Sequence, residues 1–418
     1  MHSSPHEPQQ PEPPLGGAPP PQGPLLGLKI LDISTVVAGP WSSTLLADLG
    51  AEVVKAELPG RGDPLRDLAP HKNGVPLWWK VTNRNKLGIT LDLRHPEGKR
   101  VFERLLPRFD VLVENFRPGT LAKWGFGSQR LFALQPKLIV LRMTGFGQSG
   151  PYRNKPGFAR VFEAMSGFTH MCGEADGPPL HIGFPIADAV GGLFGALGIL
   201  SALYHQRVHP DAPGQEIDCA LLESMFRVLD FLPVEFDQLG IVRGRSGNLS
   251  QYAAPGNVYR TRDGHWASIA ASTQSIYERF CVALGRPDLI ADARFASNQE
   301  RMRHRETLDA IIASEIARRS IDELKTLLDA NDMGFSPIYT IEDVFEDPHI
   351  RAREDIVSVP DTELGHLRMQ SVVPRFSRTP GKVLHAGPAQ GADNARVYGE
   401  LLGLSVGEIE RLRGVGAI

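Results

Sequence analysis

Cysteine is scarce in this sequence, with three residues in 418. Cys172, Cys219 and Cys281 are widely spaced and form no CxxC or Cys/His cluster. We therefore expect neither a disulfide framework nor a structural zinc site. The same scarcity favours a reducing compartment, which we take to be the cytoplasm.

Charge blocks and long apolar runs are also missing. The formal net charge is -3 and Lys and Arg are dispersed, which argues against a nucleic-acid partner because phosphate binding needs a concentrated positive face. The longest apolar run, 189–203, is shorter than the roughly 20 residues that a membrane-spanning helix needs. It predicts a buried helix, and no membrane partner is expected.

The first 24 residues are rich in proline and contain no Lys or Arg. They have no apolar core, so they match neither a secretory signal nor an Arg-rich transit peptide. We predict a disordered Pro-rich tail over 1–24, outside the fold.

Short β-rich runs alternate with helical stretches after this tail. The runs at 28–34, 51–57, 88–93, 110–116 and 137–144 are rich in Val, Ile and Leu. Such continuous apolar runs between helices predict an α/β fold with a parallel sheet covered on both faces. We assign 25–205 to a large Rossmann-like domain, 206–245 to a helical linker, 246–340 to a smaller α+β domain, and 341–418 to a segment that returns to the large domain.

Common catalytic signatures are absent as well. The sequence has no GxxxxGK[ST], HExxH or GxSxG, and the turn after the first strand, VVAGPWSS, has one glycine where a dinucleotide fingerprint needs three. Hydride transfer is therefore disfavoured, and no metal site is predicted.

The segment GFPIADAVGGLFGALGIL, at 183–200, is the most informative. Asp188 precedes an apolar helix, and one interpretation is a helix N-cap. The other is a carboxylate held in apolar surroundings, where it can attack an activated acyl group. Gly191 and Gly192 would then let a ligand approach the backbone.

Several stretches together resemble the class III CoA-transferases, the family of formyl-CoA transferase and carnitine CoA-transferase. They are LKILDIS, VAGPWSSTLLADLGAEVVKAE, GRGDPLR, NRNKLGITLDLRHPEGK, DVLVENFRPGTLAKWGF, TGFGQSGPY, EAMSG and the Asp188 segment. Each is weak alone, but their order and spacing are specific, and they cover about residues 25–415. The resemblance implies that Asp188 is the nucleophile of a CoA transfer between small carboxylic acids.

The resemblance also implies an interlocked homodimer that uses coenzyme A as a substrate and has no prosthetic group. Succinyl-CoA is the donor to try first, since dicarboxylates are frequent substrates among relatives. The implied CoA contacts are Val37, Ala38, Leu91, Asp92, Leu93, Arg94, Asn115, Phe116, Arg117 and Lys123. Among these, Arg94 and Lys123 are suited to phosphates.

Two departures from the family pattern leave alternatives open. Leu58 stands where some relatives have an arginine, and Arg61 can supply that charge. The segment 246–257 lacks the glycine run that forms a lid in many transferases. Acyl-CoA racemases of the same fold place a histidine where this chain has Gly157-Phe158-Ala159. The missing histidine disfavours a racemase, because racemisation needs an acid/base pair at the α-carbon. A racemase and a non-catalytic CoA-binding protein are the two alternatives to a transferase.

Overall fold

The computed structural model describes residues 22–418, so residues 1–21 of the predicted tail lie outside the described residues. The chain divides into two compact units. The first contains the chain up to Phe168, Ile182–Pro233 and Ala352–Ile418, and the second contains Thr169–His181 and Val234–Arg351.

The first unit is built on a six-stranded parallel sheet. Its strands are β1 (Lys29–Asp32), β2 (Glu52–Glu57), β5 (Lys86–Thr90), β6 (Val111–Glu114), β7 (Ile139–Thr144) and β8 (Gln215–Ala220). They lie in the order β5-β2-β1-β6-β7-β8, with every neighbouring pair parallel. This is the doubly wound order, in which the direction of winding reverses beside β1 and ligands bind at the carboxyl ends of the strands. The predicted α/β fold with a parallel sheet is confirmed.

Helices and small hairpins complete the first unit. The helices are α1 (Ala38–Asp48), α2 (Leu77–Thr82), α3 (Pro96–Leu105), α4 (Thr120–Lys123), α5 (Ser128–Leu134), α6 (Ala159–Met165), α7 (Ile186–Val208), α8 (Leu221–Arg227), α17 (Asn394–Leu402) and α18 (Val406–Gly414). The short strands β3 (His71–Lys72) and β4 (Val75–Pro76) pair, as do β12 (Ile356–Asp361) and β13 (Gly365–Gln370). The helix α9 (Leu232–Leu239) runs across the division between the units.

Each face of the sheet buries its own core, because alternate side chains of a strand point to opposite faces. Leu31 packs with Val54 and Phe102, whereas its neighbour Ile30 packs with Val53 on the other face. Each such side chain contributes about 1.5–3 kcal/mol by leaving water. The continuous apolar runs of the sequence follow from this two-sided burial.

The prediction of a helical linker over 206–245 is wrong in part, because residues Gln215–Ala220 form the strand β8. This strand lies at the edge of the sheet, and its first four residues stay exposed or partly exposed. An edge strand can therefore carry Glu216 and Asp218, and it lacks the apolar run by which the other strands were found.

The glycines of α7 pack this helix against its neighbours. A Cβ on Gly191 would lie 2.2 Å from Leu221 Cδ2, and one on Gly195 would lie 2.5 Å from Ser42 Oγ. Gly191 and Gly192 were expected to let a ligand approach the backbone, but in the structure they allow close packing of α7 against its neighbours. By length and composition α7 could cross a membrane, with a mean hydropathy of 1.8, but here it covers the sheet and Ile199 is fully buried.

The second unit combines a three-stranded antiparallel sheet with helices. Its strands are β9 (Gly256–Arg260), β10 (Trp266–Ala270) and β11 (Phe335–Pro337), and a turn at Asp263-Gly264 joins β9 to β10. Its helices are α10 (Gln274–Leu284), α11 (Asp288–Ala291), α12 (Asn298–Arg303), α13 (Arg305–Ile316), α14 (Ile321–Ala330), α15 (Ile341–Glu346) and α16 (Pro348–Ala352).

Candidate active site

A cavity of about 260 Å³ opens at the carboxyl edge of the sheet, where the segments after β1, β2, β5 and β6 meet. Such an edge is the ligand-binding position of doubly wound sheets. Its lining is mostly apolar with a few charged groups, and consists of Ile33, Thr35, Ala56, Glu57, Leu58, Arg61, Gly62, Asp63, Pro64, Leu91, Asp92, Leu93, Arg94, Phe116 and Trp124.

Half of the predicted CoA contacts line this cavity, namely Leu91, Asp92, Leu93, Arg94 and Phe116. Arg61, offered as the replacement for a family arginine, lines it too. Trp124 was not predicted, and its ring meets Phe116 edge to face with centroids 4.9 Å apart. Two neighbouring aromatic rings in the lining of the cavity can stack on a planar group.

The other predicted contacts lie elsewhere. Asn115 and Arg117 line a neighbouring cavity of about 220 Å³ with Lys155 and Phe158. Val37 and Ala38 are buried at the start of α1, and Lys123 is exposed at the end of α4 beside Trp124. The structure thus brings together half of the set.

Asn115 holds the segment that follows β1. Its Oδ1 accepts the Thr35 N–H at 2.8 Å, and its Nδ2 donates to the Thr35 carbonyl at 2.7 Å. Both hydrogen-bonding atoms of the Asn115 side chain are therefore engaged with the backbone of one residue, which favours the reading of Asn115 as a residue that shapes a loop.

Arg94 extends from the loop after β5 and is mostly exposed. It chelates Asp92 with hydrogen bonds of 2.9 and 2.8 Å, and these bonds hold the pKa of Asp92 below its usual value. The Arg94 side chain is 58% exposed and lines the cavity, so its other guanidinium donors are accessible to a phosphate.

Asp188 lies inside the first turn of α7 rather than at its cap. The helix begins at Ile186, Pro185 occupies the cap position, and the cap has no side-chain hydrogen bond. The N-cap interpretation of Asp188 is therefore incorrect. A carboxylate in the first turn still gains from the positive end of the helix dipole.

The surroundings of Asp188 disfavour the charged form of its carboxyl group. Within residues 22–418 no hydrogen bond or ion pair reaches its carboxylate, and burial, followed by the negative charge of Glu163, raises the pKa of Asp188 to about 7. With this pKa, both the charged and the neutral form of the Asp188 carboxyl group are present near neutral pH. Strong shifts of this kind concentrate at functional sites.

The packing of α7 places Asp188 beside the start of α1. Gly192 lies one turn after Asp188 on the same helix face. A Cβ on Gly192 would lie 3.2 Å from Trp41 Cβ and 3.3 Å from the Ala38 carbonyl oxygen. The second turn of α7 therefore packs on the first turn of α1, so Val37 and Ala38 lie about one helical turn from Asp188, and neither of them lines the cavity.

Sequence reasoning assigned no role to Glu163 or Asp63, although both stand in stretches that carry the family resemblance. Glu163 is buried in α6 and Asp63 is buried at the cavity wall. The sequence offered one signal for these two residues, namely an acidic side chain inside each of the family stretches GRGDPLR and EAMSG. Within residues 22–418 no group of three or more His, Cys, Asp or Glu side chains is arranged to hold a metal ion.

The comparisons with known proteins agree with this architecture. The model of CoA-transferase family III matches residues 25–394. Succinyl-CoA–D-citramalate CoA-transferase of Chloroflexus aurantiacus is 43% identical, over 94% of this chain and 98% of its own. Succinyl-CoA:glutarate CoA-transferase of Mus musculus is 30% identical, over 94% and 90%.

A solved structure shows the same fold. The crystal structure of a CAIB/BAIF family protein from Brucella suis superposes with a TM-score of 0.81 at 32% identity, covering 91% of this chain and all of that one. A sheet in the doubly wound order, a cavity at its carboxyl edge and a match over nearly the whole length lead to one assignment. The chain belongs to CoA-transferase family III, and it is an enzyme that transfers coenzyme A to a carboxylic acid.

Proposed function

We propose that this enzyme moves coenzyme A from succinyl-CoA to a small dicarboxylic acid, and that Asp188 is its nucleophile. The relatives named for succinyl-CoA with citramalate or glutarate support the substrate class. The observation that carries the role of Asp188 is its carboxylate, which is partly buried, lacks a hydrogen-bond partner in the described chain, and lies one helical turn before the contact of α7 with the start of α1.

The chemistry follows from the poor reactivity of a carboxylate toward a thioester. An Asp188 oxygen attacks the acyl carbon, the C–S bond breaks, and CoA leaves as a thiolate, while the acyl group stays on Asp188 as a mixed anhydride. The thiolate attacks the Asp188 carbonyl and releases the donor acid, giving an enzyme–CoA thioester. The acceptor acid then attacks this thioester, and the same steps run in reverse. A carboxylate with a raised pKa is the stronger nucleophile once it is ionised.

We propose that the nucleotide part of CoA occupies the cavity at the carboxyl edge. The rings of Phe116 and Trp124 would stack on adenine, and Arg61 and Arg94 would face the phosphates. Val37 and Ala38 would adjoin the thioester end, next to Asp188. Asn115, Arg117 and Lys123 complete the proposed set at its periphery.

We also propose a homodimer and a cytoplasmic location. A stripe of exposed apolar side chains follows α7, including Leu193, Leu197 and Tyr204, which are 58%, 57% and 71% exposed. A second copy of the chain would cover this stripe. Light scattering of the purified protein, with Leu197→Glu as the disrupting variant, measures the assembly.

The function is tested with a matrix of CoA donors against carboxylate acceptors, read by mass spectrometry of the product thioesters. Succinyl-CoA with citramalate, malate or glutarate is expected to give the acceptor thioester and free succinate in equal amounts. Loss of configuration at the α-carbon of a 2-methylacyl-CoA without exchange would instead identify a racemase. Tight CoA binding with neither reaction would identify a non-catalytic binder.

A further inference from the structure

The segment after β1 contains a backbone conformation that its sequence does not favour. Val36 has a φ of 67°, and among the non-glycine residues with positive φ in 22–418 it is the β-branched one. A β-branched residue in this region is a genuine outlier, and it persists only where its surroundings impose it.

Asp63 is the side chain that imposes it. The Val36 N–H donates to Asp63 Oδ1 at 3.0 Å and to Oδ2 at 3.3 Å, although the two residues belong to segments that follow different strands. Asn115 fixes the preceding residue, Thr35, on its other side. The outlier is therefore bracketed by two side-chain clamps, of which Asp63 is the one that binds Val36 directly.

Asp63 is itself held in place on every side. It is 1% exposed, its carboxylate lies 3.2 Å from Lys55 Nζ and accepts the Leu65 N–H at 2.9 Å, and its own N–H donates to Glu57 at 2.9 Å. Lys55 also lies 3.8 Å from Asp32 and donates to the Ser34 carbonyl. Burial alone would lower the pKa of Lys55, but these carboxylates hold it above its usual value. Such a framework can sustain a strained neighbour.

The strained residue immediately precedes the start of α1. Val37 occupies the cap position and has no polar side chain, so the amides of the first turn receive no cap from it. Because Val36 is two residues before the start of α1, its conformation bears on how the chain enters this helix. Gly192, one turn after Asp188 on α7, packs against the Ala38 carbonyl oxygen, so the start of α1 lies about one helical turn from Asp188.

We propose that Asp63 is a positioning residue, which holds Val36 in its left-handed conformation and so orients the first amides of α1 toward the acyl group that Asp188 attacks. This inference rests on the proposed function. It adds a residue that touches neither the thioester nor the acceptor and acts through the backbone of Val36.

The test is a double-mutant cycle that uses glycine to remove the conformational cost. Asp63→Ala is expected to lower kcat/KM for CoA transfer by about tenfold or more. Glycine adopts positive φ without penalty, so Asp63→Ala in the V36G background is expected to cost at least about fivefold less than in the wild-type background. Equal costs in the two backgrounds would overturn the inference while leaving the transferase assignment intact.

Asp48→Asn is the matched control, because Asp48 is also a buried carboxylate paired with a cation, Arg84, but lies at the other end of α1 from Val36. Its effect on kcat/KM, whatever its size, should be the same with and without Val36→Gly. Coupling of equal size for Asp48 would show that Val36→Gly acts on stability in general, and would also overturn the inference.

A second measurement needs neither substrate nor the Asp63→Ala protein. Asp63→Asn keeps one acceptor oxygen, and amide hydrogen exchange of a peptide covering Val36 reports how firmly that N–H is held. Exchange at Val36 should be about tenfold faster in Asp63→Asn than in wild type, and unchanged in Asp48→Asn. Unchanged exchange in Asp63→Asn would overturn the positioning role even if the wild-type chain transferred no CoA and the proposed function itself had failed.

Discussion

Asp63 and Asp188 both lie at the carboxyl edge of the sheet, but neighbouring groups stabilise the negative charge of Asp63 and not that of Asp188. Asp63 is almost fully buried, and a lysine and two backbone amides compensate its charge. Asp188 keeps some exposure, has no compensating partner in the described chain, and carries a pKa raised to about 7. A buried carboxylate whose charge is balanced by hydrogen bonds and a cation can hold the backbone in place. A buried carboxylate without such partners is destabilised in the resting enzyme, and this destabilisation is relieved when it forms a covalent bond.

The largest effect is expected from removal of the Asp188 charge, which has no compensating partner. Asp188→Asn should lower CoA transfer about a thousandfold or more, because the nucleophile is lost, while CoA affinity and fold remain. Steady-state rates with succinyl-CoA measure this.

Asp110→Asn is the control for that substitution. Burial also raises the pKa of Asp110, but this residue lies at the amino edge of the sheet, where it accepts the Lys29 N–H at 2.9 Å. Near-wild-type activity is expected. A comparable loss at Asp110, or substantial activity in Asp188→Asn, would contradict the nucleophile assignment.

The pH profile sharpens the comparison next. The attacking form of Asp188 is the anion, so kcat/KM should rise about tenfold between pH 6 and pH 8 with a midpoint near 7. Glu163→Gln removes a neighbouring negative charge and should move the midpoint to lower pH, although burial, the larger cause, remains. A wild-type midpoint near pH 4 would show that Asp188 is solvated in the working enzyme.

A smaller effect on activity is expected from the cationic side chains that are proposed to bind the phosphates of CoA. Arg94 lines the cavity and Lys123 does not, so Arg94→Ala should raise the KM for both CoA esters by about tenfold, and Lys123→Ala by less. Initial rates at varied ester concentration measure both. The reverse order would place the phosphates outside this cavity.

The smallest expected effect is on stability. The pKa of Asp188 is raised from 3.8 to about 7 in the folded chain, so folding binds a proton there and stability is lost as the pH rises from about 4 to 7. Asp188→Asn escapes this loss and should be more stable than wild type by about 1–3 kcal/mol at pH 8, because Asp188 is partly exposed and does not meet the full cost. Denaturant midpoints at pH 8 and pH 4 measure the difference, which should vanish at pH 4.

Much of the fold could be predicted from local pattern. Five strands were found because they are buried on both faces and carry apolar runs, as Ile30 and Leu31 illustrate. β8 escaped because an edge strand keeps charged residues such as Glu216 in water. The role of the α7 glycines escaped because sequence does not show which neighbouring helix lies against them.

The site was predicted in outline but not in its electrostatics. The resemblance selected Asp188, yet its raised pKa depends on burial and on Glu163, which packing brings near. The strain at Val36 and its clamp by Asp63 join segments that follow different strands, and no local pattern encodes that meeting. Contacts between distant segments are therefore the part that required the structure.

The central claim is a covalent bond to Asp188, and trapping it is the most direct test. After incubation with succinyl-CoA alone, hydroxylamine should convert the activated Asp188 carbonyl to a hydroxamate, and borohydride should reduce it to an alcohol. Peptide mass spectrometry should find the change at Asp188 in wild type and at no other carboxylate, and should find none in Asp188→Asn. An unmodified Asp188 in enzyme that demonstrably turns over the same substrate would contradict the account.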